Sequence, residues 1–149
     1  MKLVDIIPPV YILLSIVIMV LLHFLLPVRK IFVFPWNMLG AIPLVFGIMI
    51  NLSADKSFKK TGTTVKPLED PTSLIATGAF GICRHPMYLG FVMILLGIAV
   101  LMGSLTPYIA VLLFAVFMDV VFIRFEEKRL EERFGQDWSD YKKQVRRWI

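Results

Sequence analysis

Apolar residues gather into four runs separated by polar or proline-containing breaks. The first extends from Val10 to Leu26, with Pro8 and Pro9 before it, Pro27 after it and His23 as its one residue able to carry charge near neutral pH. The second, Ile31–Leu52, contains Pro35 and Pro43, which predict kinks that a helical bundle can absorb. The third is Met87–Met102, with Pro86 placed to open its first helical turn, and the fourth is Tyr108–Ile123, interrupted by Asp119. Each run approaches the roughly 20 residues a helix needs to cross a bilayer. The pattern predicts an all-α fold, a polytopic membrane helical bundle of about four transmembrane helices. Gly40, Gly47, Gly90 and Gly97 recur at spacings that let such helices approach closely.

The break between the third and fourth runs, Gly103–Pro107, is too short for anything but an antiparallel hairpin. Counting equal numbers of residues outward from Leu105, His85 and Phe125 fall at the same depth. Arg84, His85 and Tyr88 are therefore expected to face Arg124, Glu126 and Glu127. Beyond the fourth run, Arg124–Phe134 reads as a helix continuing out of the membrane, with Gly135 as its stop. Phe134, Trp138, Tyr141, Val145 and Trp148 then form an apolar stripe against basic residues. That predicts a C-terminal amphipathic cytoplasmic helix, lying on the interface or capping the bundle.

Composition agrees with the bilayer as solvent. The chain has 149 residues, of which 58% are hydrophobic, where a soluble domain has roughly 45–50%. Its mean hydropathy is +0.77. The length suits a single integral membrane domain, 1–149, with an N-terminal two-helix part, 1–52, and a second part, 53–149, holding the loop, hairpin and tail. Of the sixteen Lys and Arg residues, only Arg29 and Lys30 fall on the side opposite the Ser53–His85 loop and the tail. The positive-inside rule places the loop, the tail, both ends of the sequence and the polar clusters in the cytoplasm. These charges flank apolar runs, so the net charge of +5 points to the lipid bilayer as partner and not to nucleic acid. Cys83 is the one cysteine, which excludes an internal disulfide and a cysteine-rich metal site. No cleavage pattern follows the first run, so that helix is expected to be retained.

Candidate chemistry concentrates in Arg84-His85-Pro86-Met87-Tyr88-Leu89-Gly90. Pro86 presets a helical turn whose free N–H groups and dipole favour an anion. Arg84 and His85 add donors, Tyr88 adds a hydroxyl and a ring able to meet a cation, and Gly90 leaves room for close approach. With Glu126 and Glu127 opposite, the site suits a ligand carrying cationic, anionic and hydroxyl groups, a description that S-adenosylmethionine meets among others. Asp119 reads as a functional acid or as an interhelical partner, for instance of His23. His23 reads as a packed or interfacial histidine on the far side. Cys83 reads as structural, with a lowered-pKa thiol as the sharper alternative.

These residues also carry a resemblance. Arg84–Gly90, together with the tail Glu126-Glu127-x-x-Leu130-x-x-x-Phe134-Gly135-x-x-Trp138-x-x-Tyr141, resembles the isoprenylcysteine carboxyl methyltransferase family, in particular its short prokaryotic members. Gly62–Pro67 and Leu74–Phe80 look like that family's loop, although Gly78-Ala79-Phe80-Gly81 stands where it usually has Gly-Pro-(Phe/Tyr)-Arg. The resemblance implies methyl transfer from S-adenosylmethionine, giving S-adenosylhomocysteine, without a metal. The acceptor would be hydrophobic or lipid-linked, entering from the membrane and bearing a carboxylate. It implies Arg84, His85, Tyr88, Gly90, Glu126 and Glu127 as cofactor-binding residues. It implies Glu127 and Arg133 as catalytic positions, Arg133 gripping an anionic acceptor, in a prokaryotic cell membrane. The competing readings are an NADPH-dependent membrane reductase of the sterol-reductase type and a non-enzymatic membrane scaffold protein.

Overall fold

The computed structural model describes residues 8–26, 28–62 and 73–148, and every regular element among them is helical. Helix α1 spans Pro8–Leu25, its paired prolines at the start, where their missing N–H groups would lack partners in any case. A 3₁₀ turn, Trp36–Gly40, leads into α2, Ala41–Thr61. A second 3₁₀ turn, Gly78–Gly81, precedes α3, Pro86–Met102. Helix α4, Pro107–Phe117, passes through a π-helical segment, Met118–Ile123, into α5, Arg124–Phe134, and α6 is Gln136–Gln144.

Among the described residues, three helices are long and apolar enough to cross a membrane: Pro8–Leu25, Trp36–Thr61 and the continuous Pro107–Phe134. Pro86–Met102 is apolar but shorter. It is the central helix, packed against α2, α1 and α4, with Leu95 and Ala99 fully buried. The outward faces of the longer helices carry exposed large apolar side chains, such as Leu13 and Val17 on α1, Phe46 and Met49 on α2, and Leu112 and Leu113 on α4. A solvent-facing surface of that composition would be unusual in water and is ordinary against lipid.

Two expectations are corrected here. Pro35 does not interrupt a helix but precedes the 3₁₀ turn, and Pro43 lies in the first turn of α2, just past the switch from 3₁₀ to α. The second helix does not end with the apolar run at Leu52 but continues to Thr61, supported by an Asp55–Lys59 pair at 2.6 Å one turn apart. Lys59 and Lys60 in its last turn suit the helix dipole, and Gly62 closes it at φ 65°, a left-handed conformation that favours glycine. Thr63–Pro67, part of the loop motif read from the sequence, lies outside the described residues.

The glycine pairs set the distance between α2 and α3. A Cβ added at Gly40 would stand 2.5 Å from the Gly97 carbonyl oxygen, and one at Gly47 would stand 2.5 Å from that of Gly90. Backbone touches backbone, as in membrane helix pairs built on small residues. At the far end, the segment after α1 is tied to the hairpin turn. The Ile31 and Leu105 amides donate to the Gly103 and Arg29 carbonyls at 2.7 and 3.0 Å, and Thr106 Oγ1 donates to the Leu22 carbonyl at 3.2 Å. His23 Nδ1 lies 2.7 Å from Ser104 Oγ, which places it in this far-side packing and away from Asp119.

Candidate functional site

The opposite end of the hairpin holds the polar residues. The antiparallel register brings His85, the residue capping α3, against Glu126 and Glu127 of α5, as the depth count requires. His85 Nε2 is 3.3 Å from Glu127 Oε1 and Nδ1 is 3.6 Å from Glu126 Oε2. Both ring nitrogens thus face carboxylates, the arrangement of a doubly protonated imidazole. Burial disfavours the charged ring, but the two carboxylates outweigh it and raise the His85 pKa above its ordinary value. Tyr88 stacks obliquely on His85, ring centroids 5.9 Å apart, and continues to Phe122 at 6.3 Å.

Glu127 is the hub. Its Oε1 is 2.9 Å from Arg84 Nη1, and Arg147 grips both of its oxygens, Nε to Oε1 at 3.2 Å and Nη2 to Oε2 at 2.6 Å. Arg84 lies over the Trp138 ring at 5.8 Å. Its Nε is buried without a hydrogen-bond partner among the described residues, and its Nη1 meets Glu127 off the angle of a hydrogen bond. A buried guanidinium with unused donors has capacity for an anion.

A pocket with about 620 Å³ of empty space opens beside this cluster. Arg84, His85, Tyr88 and Glu126 supply its polar side, while Pro8, Pro9, Phe58, Phe80, Pro86, Met87 and Phe91 supply apolar walls. Apolar walls with a few converging polar groups are the usual build of a small-molecule site. Of the residues expected at the site, Arg84, His85, Tyr88 and Glu126 meet at this pocket. Glu127 is 8% exposed and stands behind them, holding Arg84 and His85. Gly90 faces α2, where an added Cβ would collide with Asn51 and the Gly47 carbonyl, so it serves the helix contact. Arg133 is exposed on α5. Seven residues separate it from Glu126, which puts it on the same helix face about 10 Å further from the bundle.

The segment after α6 was not legible as part of the site. The stripe of Trp138, Tyr141 and Val145 is buried, capping the bundle, and Tyr141 Oη donates to the Phe80 carbonyl at 2.6 Å. At Val145 the backbone turns extended, φ −121° and ψ 131°, and the chain runs back along the loop before α3. There the Arg84 amide donates to the Arg146 carbonyl at 3.0 Å and the Cys83 thiol to the Arg147 carbonyl at 3.3 Å. Cys83 is 2% exposed and burial pushes its thiol pKa up, the environment of a structural cysteine. Asp119 does not partner His23. It accepts from Trp148 Nε1 at 3.2 Å and lies 3.5 Å from Arg147 Nη1 and 3.6 Å from Arg124 Nε. It sits on the π-helical segment, whose wider turn rotates α5 away from the course of a straight helix. Phe58 and the Pro8–Pro9 wall were likewise unsignalled, since each reads locally as ordinary helix sequence.

Residues 36–137 match the phospholipid methyltransferase family, which includes the isoprenylcysteine carboxyl methyltransferases. An uncharacterized protein of Haemophilus influenzae is 35% identical over 63 residues, 42% of this chain and the whole of that protein. No solved structure matches. The family match takes in α2, α3, α4, the acid pair and the α5 helix, so it covers the whole polar side of the pocket and all of its apolar walls except Pro8 and Pro9. The chain belongs to the phospholipid methyltransferase family, and it is a membrane methyltransferase.

Proposed function

We propose that the protein transfers a methyl group from S-adenosylmethionine to a hydrophobic, membrane-borne acceptor, most specifically a carboxylate. The observation that carries this reading is the pocket that joins Arg84, His85, Tyr88 and Glu126 to aromatic walls in a chain of this family. The residues fit the cofactor. The unused donors of Arg84 suit its carboxylate, Glu126 suits its amino group, and the rings of Phe58, Phe80 and Tyr88 suit its purine and sulfonium. When bound, the cofactor supplies an electrophilic methyl, so the protein's task is alignment and exclusion of water. Glu127 fixes Arg84 and His85, and the pocket's apolar walls keep the sulfonium environment dry.

The choice of a carboxylate rests on how the acids and the histidine at the pocket are engaged: Glu126 faces His85 at 3.6 Å and is assigned here to the cofactor's amino group. His85 is held toward its charged form by two carboxylates, and Glu127 is occupied by three cationic side chains. Neither is poised to take a proton from an amine or a thiol. A carboxylate acceptor is already ionised at neutral pH and asks for no base. Arg133, on the Glu126 face of α5, is the proposed grip for that anionic head. In this reading α3 is a fourth span, made viable at its length by the helices enclosing it. The pocket faces the cytoplasm of a prokaryotic cell, on the Lys- and Arg-rich side. The tail caps that face as an amphipathic unit.

Isothermal titration of the purified protein with S-adenosylhomocysteine and, separately, with NADPH tests the reading. Stoichiometric binding of the former alone is expected. Binding of NADPH alone would establish the reductase alternative instead. Orientation is tested with single cysteines at Ser57 and Ser139 in a Cys83→Ser background. An impermeant maleimide should label neither in sealed right-side-out vesicles, and labelling of both would invert the topology.

A further inference from the structure

Glu127 is gripped from a side the pocket does not explain. Arg147, the residue that grips it, lines no part of the pocket, yet it makes the shortest contact to the carboxylate, 2.6 Å, and a two-point one. Its remaining arm reaches Asp119. The segment carrying it is itself held to the loop before α3 through Arg84 and Cys83, and to Asp119 through Trp148. A guanidinium fork on a carboxylate fixes the plane and rotation of that carboxylate, which a point charge does not. Once the plane is fixed, Oε1 is set where both Arg84 and His85 find it. The cluster alternates in sign: Arg84, Arg124, Arg147 and His85 stand against Glu126, Glu127 and Asp119.

We infer that Arg147 is a positioning residue that sets the orientation of Glu127 and, through it, of the Arg84–His85 pair at the pocket. The ligand of that pair rests on the cofactor reading above, whereas the arrangement at Glu127 does not.

The test therefore has two arms. The first needs no ligand. The chain has two histidines, and the His85 ring resonance, assigned by its loss in His85→Gln, is titrated by NMR in detergent. The charged groups facing His85 are Arg84 beside it, Glu126 and Glu127 from α5, and Arg147 behind Glu127. Arg147→Met should move the His85 midpoint by roughly half a pH unit in the native background and by far less in a Glu127→Gln background. An unmoved midpoint in a folded Arg147→Met protein, or an equal movement in both backgrounds, overturns the inference. If Arg147→Met does not fold, Arg147→Lys, which keeps the charge and loses the fork, carries the same measurement with a smaller expected shift. The second arm is S-adenosylhomocysteine affinity. Arg147→Met and Glu127→Gln should each weaken it on the order of tenfold, with the double variant no weaker than the worse single and Arg147→Lys between. Additive losses overturn the inference. Failure of the unmodified protein to bind counts against the cofactor alone, and the His85 arm then decides the role of Arg147.

Discussion

Replacing Gly47 with alanine tests how closely the site depends on the α2–α3 contact. The new methyl would stand 2.5 Å from the Gly90 carbonyl oxygen and 2.9 Å from the Ile94 amide nitrogen, and both neighbours are backbone. Ordinary contact begins near 3.4 Å, so the helices must part by about 0.9 Å at this level. The Gly40–Gly97 contact, two turns toward the far side, remains closed and acts as the pivot. At 1.5 Å per residue the wedge lies about 10 Å from that pivot and His85 about 18 Å, so the gap grows to roughly 1.5 Å at the pocket. Phe58 on α2 and Met87 on α3, which both line the pocket, move apart with it. Overpacking of this kind costs about 1–3 kcal/mol, a fall of several degrees in melting temperature for a chain of this size. Displacement on the order of 1 Å at a reacting site costs up to roughly a hundredfold in rate. The assay is thermal unfolding in detergent together with methyl transfer to a membrane extract. Gly81→Ala serves as control, since its added Cβ meets nothing closer than 3.5 Å. A Gly47→Ala protein as stable and as active as that control would refute the reasoning.

Further outcomes derive from the polar cluster and the packing around it. The raised His85 pKa contributes stability that is fully present below the unfolded value and is lost as pH rises through the folded one. Melting temperature should therefore fall with pH above about 6.5, and His85→Gln should remove that portion of the slope. Tyr141→Phe deletes the 2.6 Å bond to the Phe80 carbonyl and leaves a buried acceptor, a loss of about 1–3 kcal/mol measurable by urea or thermal unfolding. Cys83, buried and with its thiol pKa raised, should resist maleimide in the folded protein and react once it is denatured; rapid labelling of the native protein would contradict the described packing.

The sequence carries some of this arrangement plainly and hides the rest. The meeting of His85 with Glu126 and Glu127 follows from a tight turn and a fixed rise per residue, both local quantities, so it was legible. The glycine spacing likewise revealed a close helix contact, although it assigned Gly90 to the ligand as well as to packing. The length of α2 was missed because hydropathy ends at Leu52, whereas helix formation continues wherever propensity and i,i+4 pairs support it. The role of Arg147 was hidden for a different reason. Periodicity reports which face of a helix is apolar, and the stripe ran smoothly through Trp148, but the helix stops at Gln144 and the chain folds back. The π-helical segment that carries Asp119 has no sequence signature of its own, and neither has the approach of one arginine to both Asp119 and Glu127.

The docking of residues 145–148 behind the pocket's polar side has a consequence for how the protein is made. The pocket draws one wall from Pro8–Pro9, its floor from α3, and the alignment of its central acid from Arg147. The apolar helices can enter the bilayer one after another as they are synthesised, each satisfying its own backbone. The ligand site cannot assemble in that way, because its parts are separated by nearly the whole sequence and meet only after Trp148 has been added and docked. Nascent intermediates are thus expected to be helical and inserted before they can bind a ligand. The same order runs backwards on mild denaturation: the docked segment lies outside any helix, so losing its bonds to Arg84, Cys83, Glu127 and Asp119 melts none, and binding capacity should disappear while helical content is still complete.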